Sequence, residues 1–190
     1  MSYAVGLKSF HVAELMSDEK GAGTTYDEVQ ELSEAISAQI EPQVASGSLY
    51  GDDSVVDTAS KFNSATVTIN TTRLPAKDEA ILLGRKVEPD GTIGSKGTAP
   101  YLAFGYEVTM SDGSSEYWWL YKGRFQEPSR TNNTGNDSVE YSTPTIVGTF
   151  IRRKSDGEWK RNGADGNDGF NAGDTWFDEV YEPTAGDGTT

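Results

Sequence analysis

The stretch from Leu102 to Phe125 carries the most restrictive pattern in the chain. Leu102, Phe104, Tyr106, Val108 and Met110 alternate with Ala103, Gly105, Glu107 and Thr109. A period of two places the large apolar residues on one face of a strand. Ser111-Asp112-Gly113-Ser114 follows, and Asp-Gly supplies the positive φ that a tight hairpin needs. On the return, Tyr117, Trp119, Tyr121 and Phe125 share one face, while Trp118, Leu120, Lys122 and Arg124 share the other. A strand apolar on both faces near its centre is expected to be covered on both sides, by a second sheet or another subunit.

The same period recurs along the chain. Val139, Tyr141, Thr145, Val147, Thr149 and Ile151 continue it, with Pro144 at an edge or bulge. Ser155-Asp156-Gly157 is expected to make a hairpin turn into Glu158-Trp159-Lys160. Ala65, Val67, Ile69 and Thr71 alternate with Thr66, Thr68 and Asn70, and Tyr3 to Met16 is rich in Val, Phe and Leu but alternates imperfectly. Two short helices are expected. Residues 74–84 open on Pro75, carry Asp78 and Glu79 early and stop at Gly84. Residues 174–181 begin with Asp174 as cap and end before Pro183. Residues 29–42 fit both periods: Val29, Leu32, Ile36 and Ile40 have helical spacing, whereas Ile36, Ala38 and Ile40 alternate with polar neighbours.

Two loops stand out. Residues 46–62 are small and acidic yet include Leu49, Tyr50, Val55, Val56 and Phe62, and a long loop of this kind orders against something. Residues 127–138 are polar and read as a solvated hairpin tip.

Composition narrows the function. Leu, Ile, Val and Phe number only 35 of 190, near the level of disordered chains, but 4 Trp, 9 Tyr and 7 Phe can build a core. The net charge is −14. It is uneven: residues 1–72 carry 3 basic and 11 acidic groups, 73–161 carry 13 and 12, and 162–190 carry none and 7. A phosphate-binding groove needs the opposite sign, which argues against specific nucleic-acid binding. There is no Cys and a single histidine, His11, so disulfides, thiolate sites and His-cluster zinc sites are excluded. Met1 to Lys8 lacks a secretory pattern, and no apolar run is of membrane-spanning length.

Catalytic and metal readings fail on the residues. In an EF-hand register beginning at Asp165, the required Gly falls on Phe170 and the bidentate Glu on Trp176. His11 lies in an apolar strand with no Ser or Asp at a suggestive spacing. Asp52-Asp53 are adjacent on a loop, not poised across a cleft. Tyr117, Trp118, Trp119 and Tyr121 could form a sugar-stacking platform, but mid-strand aromatics more often form core and interface. A monomeric carbohydrate-binding β-sandwich module is the alternative that keeps the platform.

A set of ordered phrases resembles the major tail proteins, or tail tube proteins, of long non-contractile-tailed bacteriophages (siphophages) of Gram-positive bacteria. They are Gly6-Leu7-Lys8, Leu49-Tyr50-Gly51-Asp52-Asp53, Leu74-Pro75 with Leu82-Leu83-Gly84, and Ala99-Pro100-Tyr101 with Phe104-Gly105-Tyr106. Trp119 to Phe125, Thr143-Pro144-Thr145 with Gly148-Thr149-Phe150, and Trp176-Phe177 with Val180-Tyr181 complete the set.

The resemblance implies a mainly β fold of two packed antiparallel sheets, a flanking helix at 75–83 and a short C-terminal helix. It implies one tail-tube domain over 1–183 with a flexible tail at 184–190, and it favours strand over helix at 29–42. It also implies a structural, non-enzymatic virion protein that needs no cofactor. Six copies would form a ring, and the rings would stack into the tube through which the genome is ejected. The long loop would reach the neighbouring ring, which makes Leu49, Tyr50, Gly51, Asp52, Asp53, Val55 and Val56 the candidate inter-ring residues. Implied partners are the chain itself, a tape-measure protein, tail-end proteins and transiting double-stranded DNA held without specific binding. No membrane is involved, and assembly would take place in the host cytoplasm.

Overall fold

The computed structural model of the chain describes residues 2–52, 54–131 and 143–183. Among these residues, nine strands and one α-helix follow in order: β1 (Ala4–Glu19), β2 (Gly23–Tyr26), β3 (Gln30–Glu31), β4 (Ala35–Gly51), β5 (Ser54–Thr71), α1 (Ala76–Leu83), β6 (Leu102–Met110), β7 (Ser115–Phe125), β8 (Thr145–Phe150) and β9 (Lys160–Ala164). The fold is mainly β, as the alternation requires.

The two-sheet detail of the expected fold is not confirmed. The strands join one nine-stranded antiparallel sheet in the order β2-β1-β6-β7-β8-β5-β4, with β3 added to β1 and β9 to β7. This sheet curls around its own core. Phe10, Val12, Val67, Ile69, Phe104, Leu120, Phe125, Ile146 and Phe150 are buried on the concave side, and Leu82 and Leu83 of α1 join them. The long expanse of sheet thus covers itself, and a second sheet is not needed.

Bulges explain where the alternation misleads. The β6–β7 register runs Phe104↔Leu120 and then Leu102↔Gly123, so β7 carries one extra residue around Tyr121-Lys122. The extra residue reverses the faces beyond it. Phe125 therefore joins Leu120 in the concave core, and exposed Arg124 turns to the opposite face from Phe125. β1 slips register three times, between Ala4 and Gly6, Lys8 and His11, and Leu15 and Ser17. That is why its apolar residues alternate imperfectly.

The helix at 74–84 is present as α1. Pro75 stands at its N-cap, and Gly84 closes it in the left-handed conformation with φ 61°. Asp78 ties it to the sheet by accepting from the Ser33 N–H at 2.9 Å and the Ser33 hydroxyl at 2.7 Å. The 29–42 segment is strand, divided between β3 and β4, as the resemblance favoured.

The expected C-terminal helix at 174–181 is not formed. Only a 3-10 turn, Gly173–Thr175, appears, and the following turn bonds run three residues back. The Trp176 carbonyl, which an α-helix would offer to the N–H of residue 180, accepts from Trp119 Nε1 at 3.0 Å. The Tyr181 carbonyl accepts from the Tyr121 hydroxyl at 2.8 Å. The segment is therefore a strap over the convex face. Trp176 and Val180 lie buried there on Ala13, Ala103, Trp119 and Tyr121. The centre of β7 is thus apolar on both faces because its own chain covers both.

The turn at Ser155-Asp156-Gly157 does not join a hairpin. The flanking strands β8 and β9 each pair with β7 and not with one another. Val139 and Tyr141, most of the 127–138 loop and the 184–190 tail lie outside the described residues. Among the described residues, no helix is long and apolar enough to cross a membrane.

Candidate assembly interface

The 46–62 segment is not a loop. It is the outer half of a long β4–β5 hairpin whose register can be followed from Ala35↔Thr71 to Gly51↔Ser54. Nine residue steps separate Pro42↔Ala65, at the margin of the sheet, from the tip. At roughly 3.3 Å per residue this is an arm about 30 Å long. Asp52 turns the corner with φ 47°, a conformation that Asp tolerates and a tight hairpin requires.

The arm is bare on both faces. Every residue from Glu41 to Tyr50 is exposed, as is every residue from Val56 to Lys61. Its shank is built mostly of small residues, Ala45-Ser46-Gly47-Ser48 opposite Thr58-Ala59-Ser60, with Lys61 paired to Ala45. Its tip is apolar: Leu49 is 63% exposed, Tyr50 70% and Val56 65%. A two-stranded ribbon is marginally stable alone in water, and exposed apolar residues concentrated at one tip mark a contact surface.

The predicted contact residues fall together as a result. Leu49, Tyr50 and Gly51 end β4, Asp52 turns, and Val55 and Val56 follow Ser54 at the start of β5. Asp53 lies outside the described residues.

Open strand edges form the second element of the candidate interface. Among the described residues, β4 pairs with β5 alone, so its other edge carries no described strand. On the side of β1 away from β6, β3 takes His11–Val12 and β2 takes Leu15–Glu19, which leaves Ala4 to Ser9 without a strand partner. The curl of the sheet brings these edges to the two sides of one groove. Leu7, Lys8 and Ser9 line it from β1, and Glu34 and Ala35 line it at the start of β4. Unpaired edges of this kind template pairing with another chain.

The remaining sequence candidates are structural. Trp119 and Tyr121 are fully buried. Tyr117 packs against Phe170, Trp176 and Phe177, and Trp118 stacks on Tyr106 with ring centroids 6.0 Å apart. No open aromatic platform remains, and the carbohydrate-binding alternative finds no support. Asp165, directly after β9, accepts from the Ser115 N–H at 2.8 Å and so ties the end of β9 to β7. His11 stacks on Phe177, centroids 4.1 Å apart and 9° from parallel, with Nδ1 buried and unpartnered. Burial lowers its pKa from the ordinary histidine value, against the opposing pull of Glu31 and Glu107.

Two ion-pair groups hold the body together around the strap. Arg153, with a side chain 1% exposed, meets Asp156 at 2.5 Å and Glu182 as well, and lies 3.7 Å over the Tyr121 ring. Lys122 reaches Asp18 at 2.5 Å, both side chains being under 10% exposed. Burial works against the Asp18 charge. The Lys122 ammonium and the N–H groups of Lys154 and Ser155 outweigh it and hold the carboxyl below its usual range. These contacts stiffen the body, and none reaches the arm.

Comparison with known proteins agrees with this geometry. A search of curated proteins gave no match. The family described as phage tail tube protein matches residues 12–188, which takes in the arm, the curled sheet and the strap. The chain belongs to that family and is a structural component of the bacteriophage tail tube, a part of the virion tail that forms by self-assembly.

Proposed function

We propose that the chain polymerises as stacked six-membered rings into the tube of a long, non-contractile phage tail, the conduit for genome ejection. The observation that carries this is the arm. It is a ribbon about 30 Å long, uncovered by the described residues on either face and with an apolar tip, and another copy of the chain supplies the cover it lacks. Leu49, Tyr50, Gly51, Asp52, Asp53, Val55 and Val56 contact the neighbouring ring. The free edges of β4 and β1 pair laterally between subunits of one ring, which is strand addition used for assembly.

The work of the tube is passive and asks for no catalysis. Six copies bring about −84 charges to each ring. Where part of that charge lines the bore, it repels DNA phosphates and lets the genome slide. A tape-measure protein and tail-end proteins are the further partners, and assembly takes place in the host cytoplasm.

The test compares the parent with a shortened arm. Replacing 46–60 with Asn-Gly joins Ala45 to Lys61, which already pair, through a favourable two-residue turn. Negative-stain electron microscopy with parallel light scattering, across protein concentration and salt, should show rings or hollow tubes from the parent. The shortened chain should keep its fold but build no tubes. Tubes of normal length from the shortened chain contradict the proposal.

A further inference from the structure

Among the described residues, the arm meets the body through Phe62. Moving inward from the tip along β5, Phe62 is the first described residue to become half-buried. Its ring lies flat on Trp159, with centroids 4.5 Å apart and planes 17° from parallel. The Arg152 guanidinium sits 5.4 Å from the same ring, and its Nη1 donates to the Gly157 carbonyl at 3.1 Å, so this cation is tied to the 151–159 turn. Trp159 is itself fixed: its carbonyl accepts from the Tyr121 N–H at 3.0 Å. Lys160 Nζ lies 5.1 Å from the Trp159 ring and 4.7 Å from the Trp118 ring.

This stack stands where the arm is free to bend. The register runs Gln43↔Ser64 and then Val44↔Phe62, so Asn63 is an extra, unpaired residue in β5. A bulge bends and twists the strand that carries it. The bulge decides where the arm turns, but a two-stranded ribbon beyond a bulge has nothing else to fix how far it turns. The stacked rings meet that need one residue from the bulge.

We propose that Phe62, seated on Trp159 and capped by Arg152, is a positioning residue that sets the exit angle of the arm and so pre-aims its tip at the next subunit. The proposal rests on the reading of the arm as the bridge between copies. A swinging arm must give up orientational freedom at each docking event, whereas a clasped arm has already done so.

The chain has no cysteine, so paired spin labels can be placed cleanly at Ser48→Cys on the arm and Thr149→Cys on β8, both exposed positions. Double electron–electron resonance on dispersed subunits should give one narrow distance distribution for the parent. Phe62→Ala and, independently, Trp159→Ala should broaden it, and Phe62→Tyr should restore it. Without labels, the same two alanine variants should raise the concentration at half-assembly on the order of ten-fold, with Phe62→Tyr again recovering. An unchanged distribution in both alanine variants overturns the clasp. A broadened distribution with unchanged assembly overturns its positioning role and leaves the stack as mere packing. A parent that forms neither rings nor tubes refutes the bridging role of the arm instead, and the label distances still decide whether Phe62 holds it.

Discussion

The hairpin β6–β7 and the outer part of the hairpin β4–β5 belong to one sheet and obey one hydrogen-bonding rule, yet they have opposite surroundings. At the centre of β7, Trp119, Leu120 and Tyr121 are fully buried, because the curled sheet covers one face and the C-terminal strap the other. Across the arm, neither face is covered by any of the described residues. The compositions match the two situations. Aromatic and branched residues fill the doubly covered strand, while Ala, Ser, Gly and Thr build the bare ribbon and large apolar residues wait at its tip. A folded subunit accounts for the first hairpin. The second is the part that the proposed contact with another copy would cover.

Substitution should separate the two regions sharply. Trp119→Ala removes a fully buried ring and should cost roughly 3–5 kcal/mol of stability in denaturant unfolding. Tyr50→Ala, at a site 70% exposed, should move stability by no more than about 0.5 kcal/mol while visibly reducing tube yield. A large loss of stability from Tyr50→Ala would mean that the tip packs on its own subunit.

Glycine sharpens the contrast with a single methyl group. A Cβ at Gly123 would lie 2.5 Å from the Phe150 ring, so Gly123→Ala should cost about 1–3 kcal/mol. A Cβ at Gly47 meets nothing within 4 Å, so Gly47→Ala should leave the subunit unharmed, or up to about 1 kcal/mol more stable. A slower assembly of Gly47→Ala would show that the small shank is closely approached in the tube. Thermal melting and light scattering read the two effects separately.

The smallest effect concerns pH. The pKa of His11 is lowered in the folded chain, so below about 6.5 the unfolded chain takes up the proton first. Stability should fall as pH drops from there toward the folded pKa, by at most about 1.4 kcal/mol per pH unit. His11 is the one histidine in the chain, so His11→Gln should flatten the profile between pH 6.5 and 5. An unchanged slope in that variant would remove His11 as its source.

Much of the body was legible because covered faces leave a pattern. The alternation in 102–110, the Asp112-Gly113 turn and the α1 boundaries at Pro75 and Gly84 follow from local chemistry alone. Bulges were not legible, since one extra residue at Tyr121-Lys122 changes no composition and still reverses Phe125 and Arg124. The strap misled because Trp176 and Val180 have helical spacing, while a distant indole claimed the Trp176 carbonyl that a helix needs. The arm looked like a loop for a physical reason. Alternation records burial within the chain, and a strand that is bare in the subunit has no reason to alternate. The Phe62–Trp159 stack joins residues nearly a hundred positions apart, and neither residue carries a local signal.

Hydrogen–deuterium exchange compared between dispersed subunits and assembled particles tests the role of the arm most directly. Amides of residues 44–61 should exchange fast in the subunit, where the ribbon stands alone, and become strongly protected on assembly. Those at the centre of β6 and β7 should be protected in both. Arm amides that exchange equally fast in assembled particles would contradict the claim that the arm is buried between copies.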